Sequence, residues 1–191
     1  GGDATVFGKS IIKNPIEVRK KIGYMPENAP LYDDMTVDEF LHYTAQLRNI
    51  EKKDQTEAVE KVIKMCALME VQFQTIETLS KGYKRRTSMA QALIHDPQVL
   101  ILDEPTDGLD PNQKHDVRTL IKSLAKDKCV ILSTHILEEV EAVCTRAIII
   151  SSGKKLFDGE ASELKEKSSL GRVDDVFRAI TTGQEVEGVS L

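Results

Sequence analysis

The chain has 191 residues, with 26 Lys and Arg residues against 31 Asp and Glu residues and a net charge of -5. This length suits one sizeable core, or one core with a small inserted subdomain. The acidic balance argues against nucleic acid as the main partner. The short apolar runs and the lack of a charged-then-apolar leader predict no transmembrane helix and no secretory signal, so we expect membrane contact only through a partner.

The cysteines Cys66, Cys129 and Cys144 are odd in number and lack the spacing of a metal site. All three fall within apolar patterns, which favours small core residues in a reducing compartment. We therefore expect no disulfide framework.

The N-terminal pattern predicts a short hairpin around Thr5 to Ile11, a polar turn through Asn14-Pro15, and a strand from Ile22 to Met25. Gly8-Lys9-Ser10 resembles the end of the phosphate-binding motif G-x-x-x-x-G-K-[ST]. However, Asp3 stands where the first glycine should be, and Pro15 stops a helix from starting properly after Ser10. We interpret Gly8-Lys9 as a hairpin turn.

A loop with two prolines follows from Tyr24 to Pro30, and it brings Glu27 close to the end of a strand. Taken alone, Glu27 is an exposed loop carboxylate. Thr36 with Glu39 has the spacing of a capping box. The helix that they begin has one apolar face, formed by Val37, Phe40, Leu41, Thr44 and Leu47. A second helix is predicted at about 54 to 69, with Val59, Val62, Ile63 and Cys66 as core residues.

A third helix is predicted from Ser80, which is a plausible N-cap, to about His95-Asp96-Pro97. Met89, Ala90, Leu93 and Ile94 share its apolar face. Gly82 would let a ligand approach the backbone, and the helix start offers free N–H groups to an anion. An ordinary N-cap is the default interpretation, and the basic run at 84 to 86 is interpreted as a solvated face.

The apolar run from Gln98 to Leu102 predicts a strand buried on both faces of a parallel sheet, and Asp103 and Glu104 follow it directly. Asp110-Pro111 begins another helix, with Val117, Leu120, Ile121 and Leu124 facing inward. Cys129 to Leu132 predicts a second buried strand, and His135 follows it. Parallel strands end at the same edge of a sheet, so these polar residues predict a site for a metal-bound nucleotide.

The remaining pattern predicts a hairpin from 147 to 157, two polar helices at about 160 to 167 and 172 to 181, and a terminus that frays. The order of elements describes an α/β core that a mostly helical subdomain, about 28 to 97, interrupts. We expect one domain over 1 to 160 and a helical extension over 161 to 191, which either regulates dimerisation or caps the sheet.

Four motifs in register resemble those of the ATP-binding cassette (ABC) ATPases, and the resemblance covers the chain up to about residue 160. Leu79 to Tyr83 resembles the signature, Val99 to Glu104 the Walker B strand with its glutamate, Gly108-Leu109-Asp110 the D-loop, and His135 the switch histidine. Tyr24-Met25-Pro26-Glu27 is similar to the Q-loop, with Glu in place of the usual Gln. The signature departs from Leu-Ser-Gly-Gly-Gln at Lys81 and Tyr83. These variants are familiar in the branch that couples to ABC-2-type exporters.

The resemblance implies a P-loop NTPase-like fold with ATP and Mg²⁺ as cofactors. Asp103 would hold Mg²⁺, Glu104 would polarise the attacking water, and His135 would contact the γ-phosphate. Glu27 would touch metal or water and couple the site to a transmembrane permease. Ser80, Lys81, Gly82, Tyr83 and Asp110 would act across an interface with a second cassette, so we expect a homodimer or a paired ABC ATPase.

The resemblance further implies a cytoplasmic protein, peripheral on the inner face of the cell membrane. No G-x-x-x-x-G-K-[ST] loop occurs in the 191 residues. We therefore expect a fragment without the P-loop and the strands before it, which alone neither binds ATP tightly nor hydrolyses it.

Two other interpretations remain. An ABC protein of DNA repair or translation is disfavoured because no heptad pattern is sustained. A non-hydrolysing regulatory or binding module could lend its signature face to a complete partner. The acids Asp103 and Glu104, together with His135, weigh against that module, because an abandoned site need not retain them.

Overall fold

The structure is a computed structural model that describes residues 1–168, 173–183 and 189. The chain divides into two compact units, Gly1–Ser133 and Thr134–Leu191. The elements of the first unit, in chain order, are β1 (Thr5–Val6), β2 (Lys9–Ser10), α1 (Pro15–Arg19), β3 (Ile22–Met25), α2 (Val37–Leu47), α3 (Lys52–Met65), α4 (Lys81–Leu93), β4 (Val99–Asp103), α5 (Pro111–Leu124) and β5 (Cys129–Ser133). Those of the second unit are α6 (Leu137–Val143), β6 (Arg146–Ser151), β7 (Lys154–Glu160), α7 (Ala161–Glu166) and α8 (Val173–Thr182).

The central sheet of the first unit has the strand order β3-β4-β5, and all its pairs are parallel. Met25 pairs with Leu102, and Leu102 pairs with Leu132, so the three strands end at one edge. The β1–β2 pair forms the predicted antiparallel hairpin. The predicted α/β core with a parallel sheet is therefore confirmed.

The helices α2, α3 and α4 lie between β3 and β4 in the chain and pack on one another, and α4 also packs against β3. The capping box is formed: the Glu39 N–H donates to Thr36 Oγ1 at 3.2 Å, and the Thr36 N–H donates back to Glu39 Oε2 at 2.9 Å. These hydrogen bonds from Thr36 lower the pKa of Glu39. The fully buried side chains of these helices include Val37, Phe40, Leu41, Ile63 and Met89.

Three local predictions near these helices are wrong. Asn14-Pro15 opens the helix α1 instead of a turn, because the fixed φ of proline suits the first helical position. Leu47 is the last residue of α2 and its side chain is 62% exposed, so it lies outside the apolar face. The helix α3 ends at Met65, because Ala67 adopts a φ of +53°.

The strand β5 is not buried as predicted. Cys129, Ile131 and Ser133 are exposed on one face, with Ile131 at 55% exposure, while Val130 and Leu132 are half-buried. This alternation is typical of a strand that is covered on one face only. The prediction of core cysteines therefore holds for Cys66, which is buried, and fails for Cys129.

The second unit contains the predicted antiparallel hairpin, β6 and β7. Its core consists of Ile149, Leu164, Val173 and Val176, with Phe157 packed against them. The helix α8 is amphipathic and not simply polar, because Val173, Val176 and Ala179 are buried. The predicted frayed end, 184–188 and 190–191, lies outside the described residues, and the domain boundary near residue 160 remains a prediction.

Among the described residues, no helix is both long enough and apolar enough to cross a membrane.

Candidate functional site

Asp103 is the last residue of β4 at the carboxyl edge of the sheet, and Glu104 follows it directly. Ser133 forms hydrogen bonds with both residues. Asp103 pairs with Ser133 in the register of β4 and β5, and the Ser133 hydroxyl donates a short hydrogen bond to Asp103 Oδ1. The Glu104 N–H donates to both the carbonyl oxygen and Oγ of Ser133, each at 3.2 Å. The sequence places Ser133 at this edge of the sheet, next to the two acids, because it ends the neighbouring parallel strand. Its hydrogen bonds to the two acids were not predicted.

Glu104 has an unusual backbone. Its φ is +47°, in the left-handed region that residues other than glycine rarely adopt. Such a conformation costs on the order of 1–3 kcal/mol and persists where the surroundings over-determine it. Here the hydrogen bonds to Ser133 and a bond of 3.2 Å from the Asp107 N–H to the Glu104 carbonyl oxygen hold it.

The β4 loop, residues 104–110, contains two further features. Gly108 has a φ of +67°, a conformation that residues with a Cβ rarely adopt, so the backbone favours glycine here. The end of the Lys81 side chain lies against this glycine, since Lys81 Nζ would be 1.9 Å from a Cβ built there. Asp110 is the N-cap of α5, because Oδ1 accepts the N–H groups of Asn112 at 2.9 Å and Gln113 at 3.0 Å. Asp110 therefore has a structural role within its own chain.

The start of α4 packs against the start of α5. Ser80 is the N-cap, as predicted, and its hydroxyl accepts the Tyr83 N–H at 3.4 Å. Gly82 is buried, and a Cβ there would lie 2.5 Å from Gln113 Oε1 of α5. Lys81, whose side chain is 61% exposed, has its Nζ 3.3 Å from Asp107 Oδ2. The start of α4 and the β4 loop of the same chain are thus direct neighbours.

Glu27 is exposed in the β3 loop, residues 26–32, and lines a cavity of about 340 Å³. The other lining residues come from the same loop, from Asp33 directly after it, from α4 and from the β4 loop: Asn28, Ala29, Pro30, Leu31, Asp33, Lys81, Lys84, Arg85 and Asp107. The structure therefore brings Glu27 and Lys81 to one cavity of the same chain, whereas the sequence assigned Lys81 to the nucleotide of a second cassette.

The basic run at 84 to 86 is not a solvated face. Lys84 pairs with Asp33 at 3.2 Å, and Arg86 pairs with Asp116 at 2.9 Å. Arg85 is buried and donates to the Glu27 carbonyl oxygen. Tertiary partners thus account for all three charges. Arg85 is one helical turn from Gly82 and Met89 on the same face, and that spacing was the missed signal.

His135 belongs to the second unit, where it is exposed and lies two residues beyond the end of β5. Its predicted contact with the γ-phosphate remains a prediction.

The residues at the end of β4 fit a magnesium ion that is shared with a phosphate ligand. Among the described residues, no group of three or more His, Cys, Asp or Glu side chains could enclose a metal. Mg²⁺ does not require such a cage, because it commonly takes one or two carboxylates, several waters and phosphate oxygens of the substrate. Asp103, half-buried and oriented by Ser133, offers a hard oxygen ligand of this kind.

Comparison with known proteins agrees with this geometry. The family model described as "ABC transporter" matches residues 2–107. The chain is 33% identical over 178 residues to the ABC transporter ATP-binding protein NatA of Bacillus subtilis, covering 92% of this chain and 72% of that protein. The chain therefore belongs to the ABC transporter family, as an ATP-binding domain of the P-loop NTPase-like α/β fold.

Other relatives are longer. The chain is 36% identical over 195 residues to an uncharacterized ABC transporter ATP-binding protein of Synechocystis, covering 99% of this chain and 52% of the relative. It is 36% identical over 170 residues to ABC transporter A family member 8 of Dictyostelium discoideum, covering 89% of this chain and 20% of the relative. The chain thus spans between a fifth and about half of the length of these two relatives.

Proposed function

We propose that this chain is part of the ATP-hydrolysing motor of a membrane exporter. The observation that carries the proposal is the pair of carboxylates, Asp103 and Glu104, at the carboxyl end of β4, with Ser133 in contact with both residues. Ligands of open α/β sheets bind at that edge. Membership of the ABC transporter family supplies ATP as the nucleotide.

Asp103 and Glu104 have different roles in this proposal. Asp103 holds Mg²⁺, which when bound neutralises charge between the β- and γ-phosphates. Glu104 accepts a proton from the attacking water and orients it, which requires an ionised carboxylate. The two carboxylates belong to consecutive residues, with Asp103 in the strand and Glu104 in the left-handed turn that follows it, so in this proposal one serves the metal and the other serves the water.

The other predicted site residues act around this pair. Glu27 lies near the metal or water and couples the site to the transmembrane permease, and His135 contacts the γ-phosphate. The residues that bind the nucleotide of a facing cassette are Ser80, Lys81, Gly82, Tyr83 and Asp110. Lys81 would exchange its present contact with Asp107 for a phosphate oxygen.

The proposed assembly is a homodimer, or a pair with another ABC ATPase, bound to a permease on the inner face of the cell membrane. In this assembly the helical segment at about 28–97 faces the permease. Residues 161–191 form an extension of the domain over 1–160. Neither nucleic acid nor direct membrane contact is part of the proposal.

The test is ATP hydrolysis by the protein in its full natural length, compared with its Glu104→Gln variant. Gln keeps the size of the side chain but cannot accept the proton. We expect the turnover number to fall about 100-fold or more, with little change in nucleotide affinity. As a control, Glu57→Gln removes an exposed carboxylate of α3 and should leave turnover unchanged.

The competing function is a binding module that does not hydrolyse ATP. It would be favoured if the full-length protein turned over no ATP alone, but increased the turnover of an added complete cassette equally well with Glu or Gln at position 104.

A further inference from the structure

Arg85 is a buried cation within α4. Its side chain is only 7% exposed, against 61% for Lys81 on the preceding turn. A guanidinium group stays charged at any ordinary pH, so its burial must be compensated by hydrogen bonds and an opposite charge. The hydrogen-bond and charge partners of Arg85 therefore show which segments compensate its buried charge.

Those partners lie in two different loops. The guanidinium donates a short hydrogen bond to the main-chain carbonyl oxygen of Glu27 in the β3 loop. Its second terminal nitrogen lies 3.8 Å from Asp107 Oδ2 in the β4 loop. The two loops follow adjacent parallel strands, and one planar guanidinium reaches both of them.

The contact with Glu27 involves the backbone and not the carboxylate. Arg85 therefore positions the β3 loop while the Glu27 side chain remains exposed and available. On the other side, the Asp107 N–H donates to the Glu104 carbonyl oxygen at 3.2 Å. A continuous path of contacts thus runs from Glu27 through Arg85 and Asp107 to Glu104.

The next residue provides a natural comparison. Arg86 is also mostly buried, at 15% exposure of its side chain, and it pairs with Asp116 of α5 at 2.9 Å. That pair connects two helices and contacts neither loop. Removing Arg86 therefore measures the cost of losing a buried arginine of α4 without touching the two loops.

We propose that Arg85 is a positioning residue that holds the β3 and β4 loops in a fixed relation, so that Glu27 and Glu104 act on the same nucleotide. The inference rests on the proposed function for its effect on turnover, although the link between the loops is a property of the fold. Arg85 itself touches no substrate in this scheme. Its effect is on the placement of the two acids.

The first test is hydrogen exchange in the full-length protein, comparing Arg85→Met with Arg86→Met. Without Arg85 the hydrogen-bonded amides of these loops, Leu31 in the first and Glu104, Asp107 and Leu109 in the second, should exchange faster than in the wild type, because the two loops open independently. Arg86→Met should leave both segments at the wild-type rate. Unchanged exchange in both loops of Arg85→Met would overturn the inference.

The second test is ATP turnover by the same variants. Arg85→Met should lower kcat about tenfold to a hundredfold, with KM changed less than about threefold, because misplacing a catalytic group by about 1 Å has effects of this size. Each protein should be assayed at the same number of degrees below its own melting temperature. Under these conditions Arg86→Met should retain the wild-type kcat. A kcat for Arg85→Met equal to that of Arg86→Met would contradict the proposal.

Arg85→Lys keeps the charge but cannot contact the carbonyl and the carboxylate together. Arg85→Lys should be more stable than Arg85→Met, while its kcat stays low. If Arg85→Met fails to fold, the kcat of Arg85→Lys tests the positioning role instead, and a wild-type kcat would contradict it. If the wild type itself hydrolyses no ATP, the proposed function fails, and hydrogen exchange still decides the role of Arg85.

Discussion

His95 shows how a single buried ring can make stability depend on pH. Its Nε2 lies 3.1 Å from the Ile22 carbonyl oxygen, so Nε2 carries the proton, and Nδ1 has no hydrogen-bond partner in the described part of the chain. Burial, together with the charge of Arg48, lowers the pKa of His95 to about 4, while the Ile22 carbonyl and Asp96 oppose the shift. Charging the ring would place an unsatisfied N–H in the interior.

The resulting prediction is that protonation of His95 lowers the free energy of unfolding in acid. The folded pKa of about 4 lies below the usual value of 6.5, so the unfolded chain binds more protons between these values. The contribution of neutral His95 is fully present above pH 6.5 and is lost as pH falls towards 4. Urea unfolding at pH 7, 5.5 and 4.5 should show a steeper loss of stability in the wild type than in His95→Gln. Parallel pH profiles would contradict this.

At the scale of single residues, the sequence located the two acids at the end of a strand, but it did not predict the contacts of the candidate site. Asp103 and Glu104 were found because two acids directly follow an apolar run. Ser133 was placed at the same sheet edge, but its hydrogen bond to Asp103 was not predicted, because that bond joins residues 30 positions apart. Arg85 was interpreted as solvated for the same reason: its counter-charge and its carbonyl acceptor belong to other segments.

The first residue of the helix α5 region, Asp110, has two roles: it caps the helix, and we predict that it also lies at an interface. Asp110 caps α5 through two N–H groups, and we also predict that it contacts a facing cassette. Asn is as good an N-cap as Asp, whereas Ala is not, so the two roles can be separated by substitution.

We expect Asp110→Asn to retain the free energy of unfolding within about 0.5 kcal/mol and Asp110→Ala to lose about 1 kcal/mol. Both variants should show lower ATP turnover in the full-length protein if the charge acts across the interface. Chemical denaturation and steady-state turnover measure the two effects. Wild-type turnover in Asp110→Asn would mean that the residue serves only as a cap.

Local signals predicted most elements because they depend on neighbouring residues. The capping box at Thr36 and Glu39, the N-cap Ser80 and the Asp110-Pro111 start all involve residues within one helical turn. The errors occurred where contacts with distant segments, and not neighbouring residues, determine the local structure. Pro15 is compatible with both a turn and a helix start, and an apolar strand such as β5 has the same sequence whether one face or both are covered.

At the scale of the whole molecule, the proposed function requires two cassettes to enclose ATP. The Glu104→Gln variant should hydrolyse ATP slowly and should therefore accumulate as the ATP-bound dimer. Light scattering of the full-length variant should show a doubled mass when Mg²⁺ and ATP are added. The signature residue Ser80 offers a specific block, because Asp at this position keeps the N-cap but places a negative charge near the phosphates.

Adding Ser80→Asp to Glu104→Gln should therefore abolish the ATP-dependent dimer. Ser80→Asn, which also caps the helix but is neutral, should weaken the dimer much less. An equal dimer fraction in the Ser80→Asp and Ser80→Asn proteins would show that the start of α4 does not face the nucleotide of a partner.

Apart from the short helix α1, the sequence alone determined the order of strands and helices, the parallel sheet and the strand that delivers Asp103 and Glu104 to its edge. It could do so because periodicity, capping and turn chemistry act over a few residues. Only the tertiary structure decided that Ser133 orients both acids, that Arg85 links the β3 and β4 loops, and that β5 is exposed on one face. These features depend on which distant segments meet, since a buried charge or a strand face is defined by what packs against it.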